Sequence, residues 1–318
     1  MPFITLEEHY VSPTIRASTP HDPFASFPAP TIQKLESLSS ERLQDMDAGN
    51  VALQILSHAP GTYSAALCTE TNNTLASAIA AHPTRLAGFA LLPMAEPEAA
   101  AAELERCVRE HGFVGALLDN HIDGRFYDGL EFRVVFSKAQ ELNVPLYIHP
   151  AWASDEMLEH YKGNYADSVA LSMSAFGWGW HSETAVHVLR LYASGLFDEF
   201  PRLKIVLGHM GEMLPFQLER VIRVAGRWGL RRGFEEVWNE NFWITTSGMF
   251  SLGPLACLLR TTRIERVLYS VDYPFSDNQT GAEFFERVKE SGLITGEDLE
   301  KFAYGNAEAL LGVRAVGK

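Results

Sequence analysis

The sequence predicts a (β/α)₈ TIM barrel, an α/β fold in which parallel strands alternate with helices. Three observations predict it. Eight short β-rich runs recur along the 318 residues, each followed by a stretch with helical spacing. Most of these runs are almost continuously apolar and end in a polar residue, as strands covered on both faces do. No glycine-rich fingerprint follows the first run, which disfavours the rival doubly wound open sheet.

The strands are expected, in order, at 3–9 (FITLEEH), 51–57 (VALQILS), 86–93 (LAGFALLP), 113–119 (FVGALLD), 144–150 (VPLYIHP), 204–211 (KIVLGHMG), 242–248 (FWITTSG) and 266–274 (RVLYSVDYP). Between them, apolar residues at three- and four-residue spacing mark amphipathic helices, clearest at 100–112 and 182–197. Two connections are too long to be turns. Residues 10–40 are rich in Pro, Ser, Thr and Phe, and residues 151–180 carry Trp152, Tyr161, Tyr165, Phe176, Trp178 and Trp180. Both follow strands, so both are expected at the C-terminal mouth of the barrel as lids or binding loops. With no repeat, low-complexity tract or linker, residues 1–318 read as one domain.

Composition narrows the class further. Lys and Arg number 26 against 40 Asp and Glu, a formal charge of −14, so no basic stripe invites nucleic acid or an anionic membrane. Cys68, Cys107 and Cys257 are scattered without a CxxC pair, as expected of a reduced, cytoplasmic chain lacking a cysteine-based zinc site. The N-terminal MPFITLEEHY has two carboxylates where a signal peptide would be apolar. The uncharged run 241–259 contains Gly248, Gly253 and Pro254 and reads as strand, turn and short helix rather than a membrane span.

The strand ends hold the chemistry. Glu7 and His9 are two apart on the first strand and share a face, while Glu8 points the other way. His149 ends the fifth strand, His209 the sixth and Asp272 the eighth. In a closed barrel all five converge at the mouth, and carboxylate oxygens with imidazole nitrogens are a ligand set for zinc or manganese. His58 and His121 fall just past strand ends and could line the mouth; His82, His111, His160 and His187 lie in helices or turns and read as solvated or structural. There is no GxSxG elbow, no phosphate-binding loop and no HExxH, and GWGW (177–180) reads as loop packing.

Four motifs in order at barrel spacing, LEEH (6–9), IHP (148–150), GHMGE (208–212) and SVDYP (270–274), resemble the amidohydrolase superfamily. The stretches at 183–216 and 241–248 are most similar to its metal-dependent, nonoxidative aromatic acid decarboxylase branch, the gamma-resorcylate and 2,3-dihydroxybenzoate decarboxylases. The likeness spans residue 6 to about 311. It implies Glu7, His9, His149 and Asp272 as metal ligands, His209 and Glu212 as a supporting pair, and Arg220 and Phe275 near substrate. The fourth strand ends in Leu118 and Asp119 and supplies no bridging lysine, which favours one divalent ion: zinc or manganese, with magnesium less suited to imidazole. Two positions depart from the branch. Asp119 stands where gamma-resorcylate decarboxylases carry Asn, and Ala151-Trp152 replaces Arg-Asn after IHP. Both positions shape the branch's substrate pocket, so the resemblance leaves a different substrate, or a different reaction, open.

The implied reaction is decarboxylation of an ortho-hydroxylated aromatic acid. The metal faces the carboxylate and hydroxyl, Asp272 protonates the ring carbon, and CO₂ leaves. Metal-dependent hydrolysis of a lactone, amide or ester would use the same ligands, and a barrel that binds metal without turnover is the non-enzymatic alternative. A homodimer or homotetramer is expected.

Overall fold

The first strand, β1 (Phe3–Tyr10), is buried along its whole length, as is β2 (Val51–His58), with which it pairs in parallel. The remaining strands are β3 (Leu86–Gly88), β4 (Ala90–Leu91), β5 (Ala116–Asp119), β6 (Pro145–His149), β7 (Lys204–Leu207), β8 (Phe242–Thr245) and β9 (Val267–Leu268). They form parallel ladders in the orders β1-β2-β3 and β4-β5-β6-β7-β8-β9. This computed structural model describes residues 1–18 and 27–315. Of the connection expected over 10–40, residues 19–26 lie outside the described residues; the rest of it holds the helices Pro13–Ser18 and Ala29–Glu36. The connection after β6 holds the helices Asp155–His160 and Asp167–Ser174.

The two ladders meet at two seams, the first bridged by backbone and the second by side chains. At the first, β3 and β4 are one expected strand interrupted at Phe89, whose N–H still donates to Leu56 O at 2.8 Å, while Ala90 N–H turns to Gly115 O at 2.9 Å. At the second, the expected strand 266–274 stops being a regular ladder at Leu268. Ser270 Oγ accepts from the N–H groups of both Leu6 and Glu7 at 2.9 Å, and Glu8 accepts from the N–H groups of Val271 and Tyr273 at 3.1 Å. Side chains thus satisfy backbone groups that strand pairing would otherwise take, and His9 N–H reaches Tyr273 O at 2.7 Å.

The same seam aims the first strand. Its register against β2 shifts between Thr5 and Glu8. Ile4 and Leu6 belong to the inner cluster with Leu53, Phe89, Leu117, Tyr147 and Val206. Glu7, the very next residue, also turns inward and meets the Tyr147 hydroxyl. An irregularity of this kind re-aims side chains locally, and here it changes an apolar barrel floor into a polar mouth. Outside the strands, the helix Pro97–His111 buries Ala100, Leu104 and Cys107 at the expected spacing and ends on left-handed Gly112. Residues 182–197 form the helix Gly179–Ala193 and, after Gly195 at φ +77°, the short helix Leu196–Glu199. The run 241–259 becomes β8, a turn and the start of the helix Leu252–Thr261. Among the described residues no helix is long and apolar enough to cross a membrane.

Candidate metal centre

Glu7, His9, His149 and Asp272 offer ligand atoms that all lie within 4.8 Å of one another. Glu7 and His9 leave the inner face of β1 and His149 ends β6. Asp272 is presented by a left-handed residue, φ +69°, beyond β9. His149 Nε2 lies 3.0 Å from Glu7 Oε1, and His9 Nε2 lies 3.3 Å from Asp272 Oδ1. Glu7 Oε1, His9 Nε2 and Asp272 Oδ1 are buried without a hydrogen-bond partner. Three unpartnered lone-pair atoms converging with His149 suit a cation, since such atoms buried alone are costly. The donor set of two imidazoles and two carboxylates suits a borderline divalent ion.

His209 and Glu212 sit on an unusual backbone. The strand expected over 204–211 ends at Leu207, because Gly208 passes so close to the site that a Cβ there would lie 2.7 Å from Glu7 Oε2 and 3.1 Å from the Tyr147 hydroxyl. The next five residues, His209 to Met213, all have positive φ. Strain of this kind persists where the surroundings hold it. It folds Glu212 back so that His209 Nδ1 lies 2.7 Å from Glu212 Oε1. The other carboxylate oxygen, Oε2, lies 2.6 Å from His181 Nδ1, a residue whose role sequence reasoning missed. His181 lies in the first turn of the helix Gly179–Ala193, directly after GWGW, and no strand end flags it. Burial opposes charge on His209, but Glu212, Glu7 and Asp272 outweigh it and push the imidazole up to about 10. Burial would likewise raise Glu7, yet His209, His149 and His9 hold its carboxyl well below the usual range.

The cluster opens into a cleft of about 340 Å³, walled by Phe27, Trp152, Phe176, Trp180 and Phe275, with His149, His209 and Asp272 at its base. Trp180 packs edge-on to Trp152, with ring centroids 5.2 Å apart. The 151–180 connection therefore supplies cleft wall, and GWGW splits between an exposed Trp178 and a wall residue, Trp180. Phe275 lines this cleft. Asp119 lines an adjoining pocket rather than the cleft itself; burial raises its carboxyl to about 7 against the opposing effect of His149.

Arg220, which the resemblance implied near substrate, lies outside the cleft. The helix Leu214–Ala225 buries Leu214, Leu218 and Ala225, and a residue two positions past Leu218 falls on the far side of a helix. Arg220 is accordingly exposed, in a separate groove with Gln217 and Trp228. His58 is buried and engaged in structure, accepting from Ser12 N–H at 3.0 Å, and His187 is buried beneath Tyr127, accepting from its N–H at 3.2 Å.

Fold and site together define an α/β barrel enzyme class with a carboxylate–imidazole cluster at its mouth. The family model described as amidohydrolase matches residues 33–313, and the chain belongs to that family. It is 50% identical to the decarboxylase orsB of Emericella nidulans over 323 residues, 98% of this chain and 97% of that protein. It is 36% identical to the gamma-resorcylate decarboxylase of a Polaromonas species, across 96% of this chain and 97% of the relative. The structure of a dihydroxybenzoic acid decarboxylase from Polaromonas, with bound manganese and the inhibitor 2-nitroresorcinol, superposes with a TM-score of 0.85 at 33% identity, covering 98% of this chain and 97% of that one.

Proposed function

We propose that this chain is a metal-dependent, nonoxidative decarboxylase of an ortho-hydroxylated aromatic acid, working with one divalent ion and no organic cofactor. The observation that carries the reading is the Glu7, His9, His149 and Asp272 cluster at the base of a cleft with aromatic walls. Full-length likeness to proteins named decarboxylases supports it over hydrolysis.

Glu7, His9, His149 and Asp272 would hold the ion. When bound it would supply a positive charge to orient the acid and stabilise negative charge developing on the substrate. The aromatic walls exclude water from the ring and align it with the cluster. The chemical difficulty is protonating the ring carbon that carries the carboxylate. Asp272, whose side chain is 16% exposed toward the cleft, delivers that proton from a carboxylate oxygen. The carbon–carboxylate bond then breaks, its electron pair returns to the ring, CO₂ leaves, and Asp272 is reprotonated from solvent. His209, held protonated by Glu212, places positive charge 4.0 Å from Asp272 Oδ2, where it can stabilise negative charge developing on the substrate.

A panel of hydroxybenzoates, alkyl-substituted resorcylates and simple lactones, scored for CO₂ and for hydrolysis products, tests the proposal. CO₂ from at least one ortho-hydroxy acid is expected. Turnover of a lactone with no CO₂ from any acid would transfer the site to the hydrolase reading.

A further inference from the structure

Beside the cleft lies a smaller pocket of about 160 Å³, lined by Gly61, Asp119, His121, Asp123 and Trp152 among others. It shares Pro60 and Trp152 with the cleft, so the two spaces adjoin across one wall. We propose that Asp119 and His121 form a subsite for a hydroxyl group on the substrate ring, remote from the carboxylate that enters the metal centre. The identity of the ring rests on the decarboxylase reading above.

Three observations carry the inference. Asp119 ends β5 directly opposite His149 in the parallel register, on the same inward row as Leu117. A ligand seated at His149 is therefore one strand spacing, about 4.8 Å, from the Asp119 row. Second, His121 is 4% exposed, and its Nδ1 accepts from Gly124 N–H at 3.2 Å. The neutral ring then carries its hydrogen on Nε2, which is buried with no partner. Third, Asp119 lines the same pocket as His121, accepts from the Gly61 backbone and brings acceptor capacity to that space. A hydroxyl is both donor and acceptor and matches this pair. A second carboxylate would meet Asp119 and Asp123, and an apolar substituent would leave Nε2 unpaired. The space is several times a water's share of liquid volume, about 30 Å³, and takes a hydroxyl with its ring edge.

The test compares salicylate with its 3-, 4-, 5- and 6-hydroxylated analogues on the metal-loaded protein, using wild type, Asp119→Asn and His121→Phe. The readouts are kcat/KM for each acid, calorimetric affinity for each, and metal per chain. Wild type should prefer one hydroxylated acid over salicylate by about tenfold, a single hydrogen bond's worth. Both substitutions should collapse that preference toward unity with metal content unchanged. Equal loss on every acid, or an undiminished preference in both variants, would overturn the subsite. If no acid is decarboxylated the reaction assignment fails, and affinity decides alone: a hydroxyl preference that vanishes in both variants upholds the subsite, and its absence from wild type refutes it.

Discussion

Glu7 Oε1 and His149 Nε2 face each other across 3.0 Å, and His149 Nδ1 lies 2.7 Å from the Pro150 carbonyl. A carbonyl only accepts, so Nδ1 carries the ring's first proton and Nε2 has only a lone pair unless a second proton binds. Whatever lies between Nε2 and the carboxylate must be positive. Either a proton or a cation meets that need, and the two compete.

About one divalent ion per chain should therefore survive dialysis, measured by elemental analysis. Its affinity should fall on acidification, because binding displaces protons from the imidazoles. Glu7→Gln should lose the ion while the barrel stays folded by circular dichroism. Two ions per chain, or full activity after chelation, would contradict the single-ion site.

Asp272→Asn keeps the side chain's shape and removes the proposed proton donor. Turnover should fall by about 10² to 10⁴, the usual worth of a positioned general acid. Its thermal midpoint, measured with metal bound, should lie close to wild type. Undiminished CO₂ release would remove Asp272 from the chemistry.

His181→Phe takes one of the two imidazoles from Glu212. A buried carboxylate oxygen left unpaired costs about 1–3 kcal/mol, and Glu212 is left with His209 as its one imidazole partner, free to reorient. We expect a fall in kcat with little change in metal content, and a pH–rate profile whose limbs move, whereas simple loosening of the helix would lower stability alone.

Arg42 is wholly buried against β1, donating to His9 O at 2.6 Å and to Ser37 O at 2.7 Å, with its guanidinium 4.7 Å from the Tyr273 ring centroid. Arg42→Ala should destabilise by about 1–3 kcal/mol for each buried carbonyl left without its donor. Denaturant unfolding would measure it.

Burial depresses His187 from 6.5 to about 3. The unfolded chain then takes up this proton first, so the stability it carries is full above pH 6.5 and is lost as pH falls toward 3. The difference between wild type and His187→Gln, whose amide can still accept from Tyr127, should slope by about 1.4 kcal/mol per pH unit below 6.5 and flatten above it. A difference independent of pH would show that His187 titrates normally.

The eight strands, the spacing that turns Glu7 and His9 to one side, and the five polar residues on or just past the strands were legible in the sequence. Each depends on local periodicity, and a run such as VALQILS can bury itself only as an inner strand. The amidohydrolase motifs added Glu212 and Phe275 to the list. Strand lengths were overestimated at β7 and β9, where Gly208's close approach and the side chains of Ser270, Thr246 and Glu8 take over from backbone pairing. Those contacts join residues more than 20 positions apart, and some more than 260, so no sequence window contains them. Tertiary structure alone recruited His181 through Glu212, made Trp152 and Trp180 a shared wall, and sent Arg220 to the outside of its helix. Periodicity determines which face of an element is apolar. Only the closing of the barrel determines which polar atoms on different elements come within 3 Å of each other.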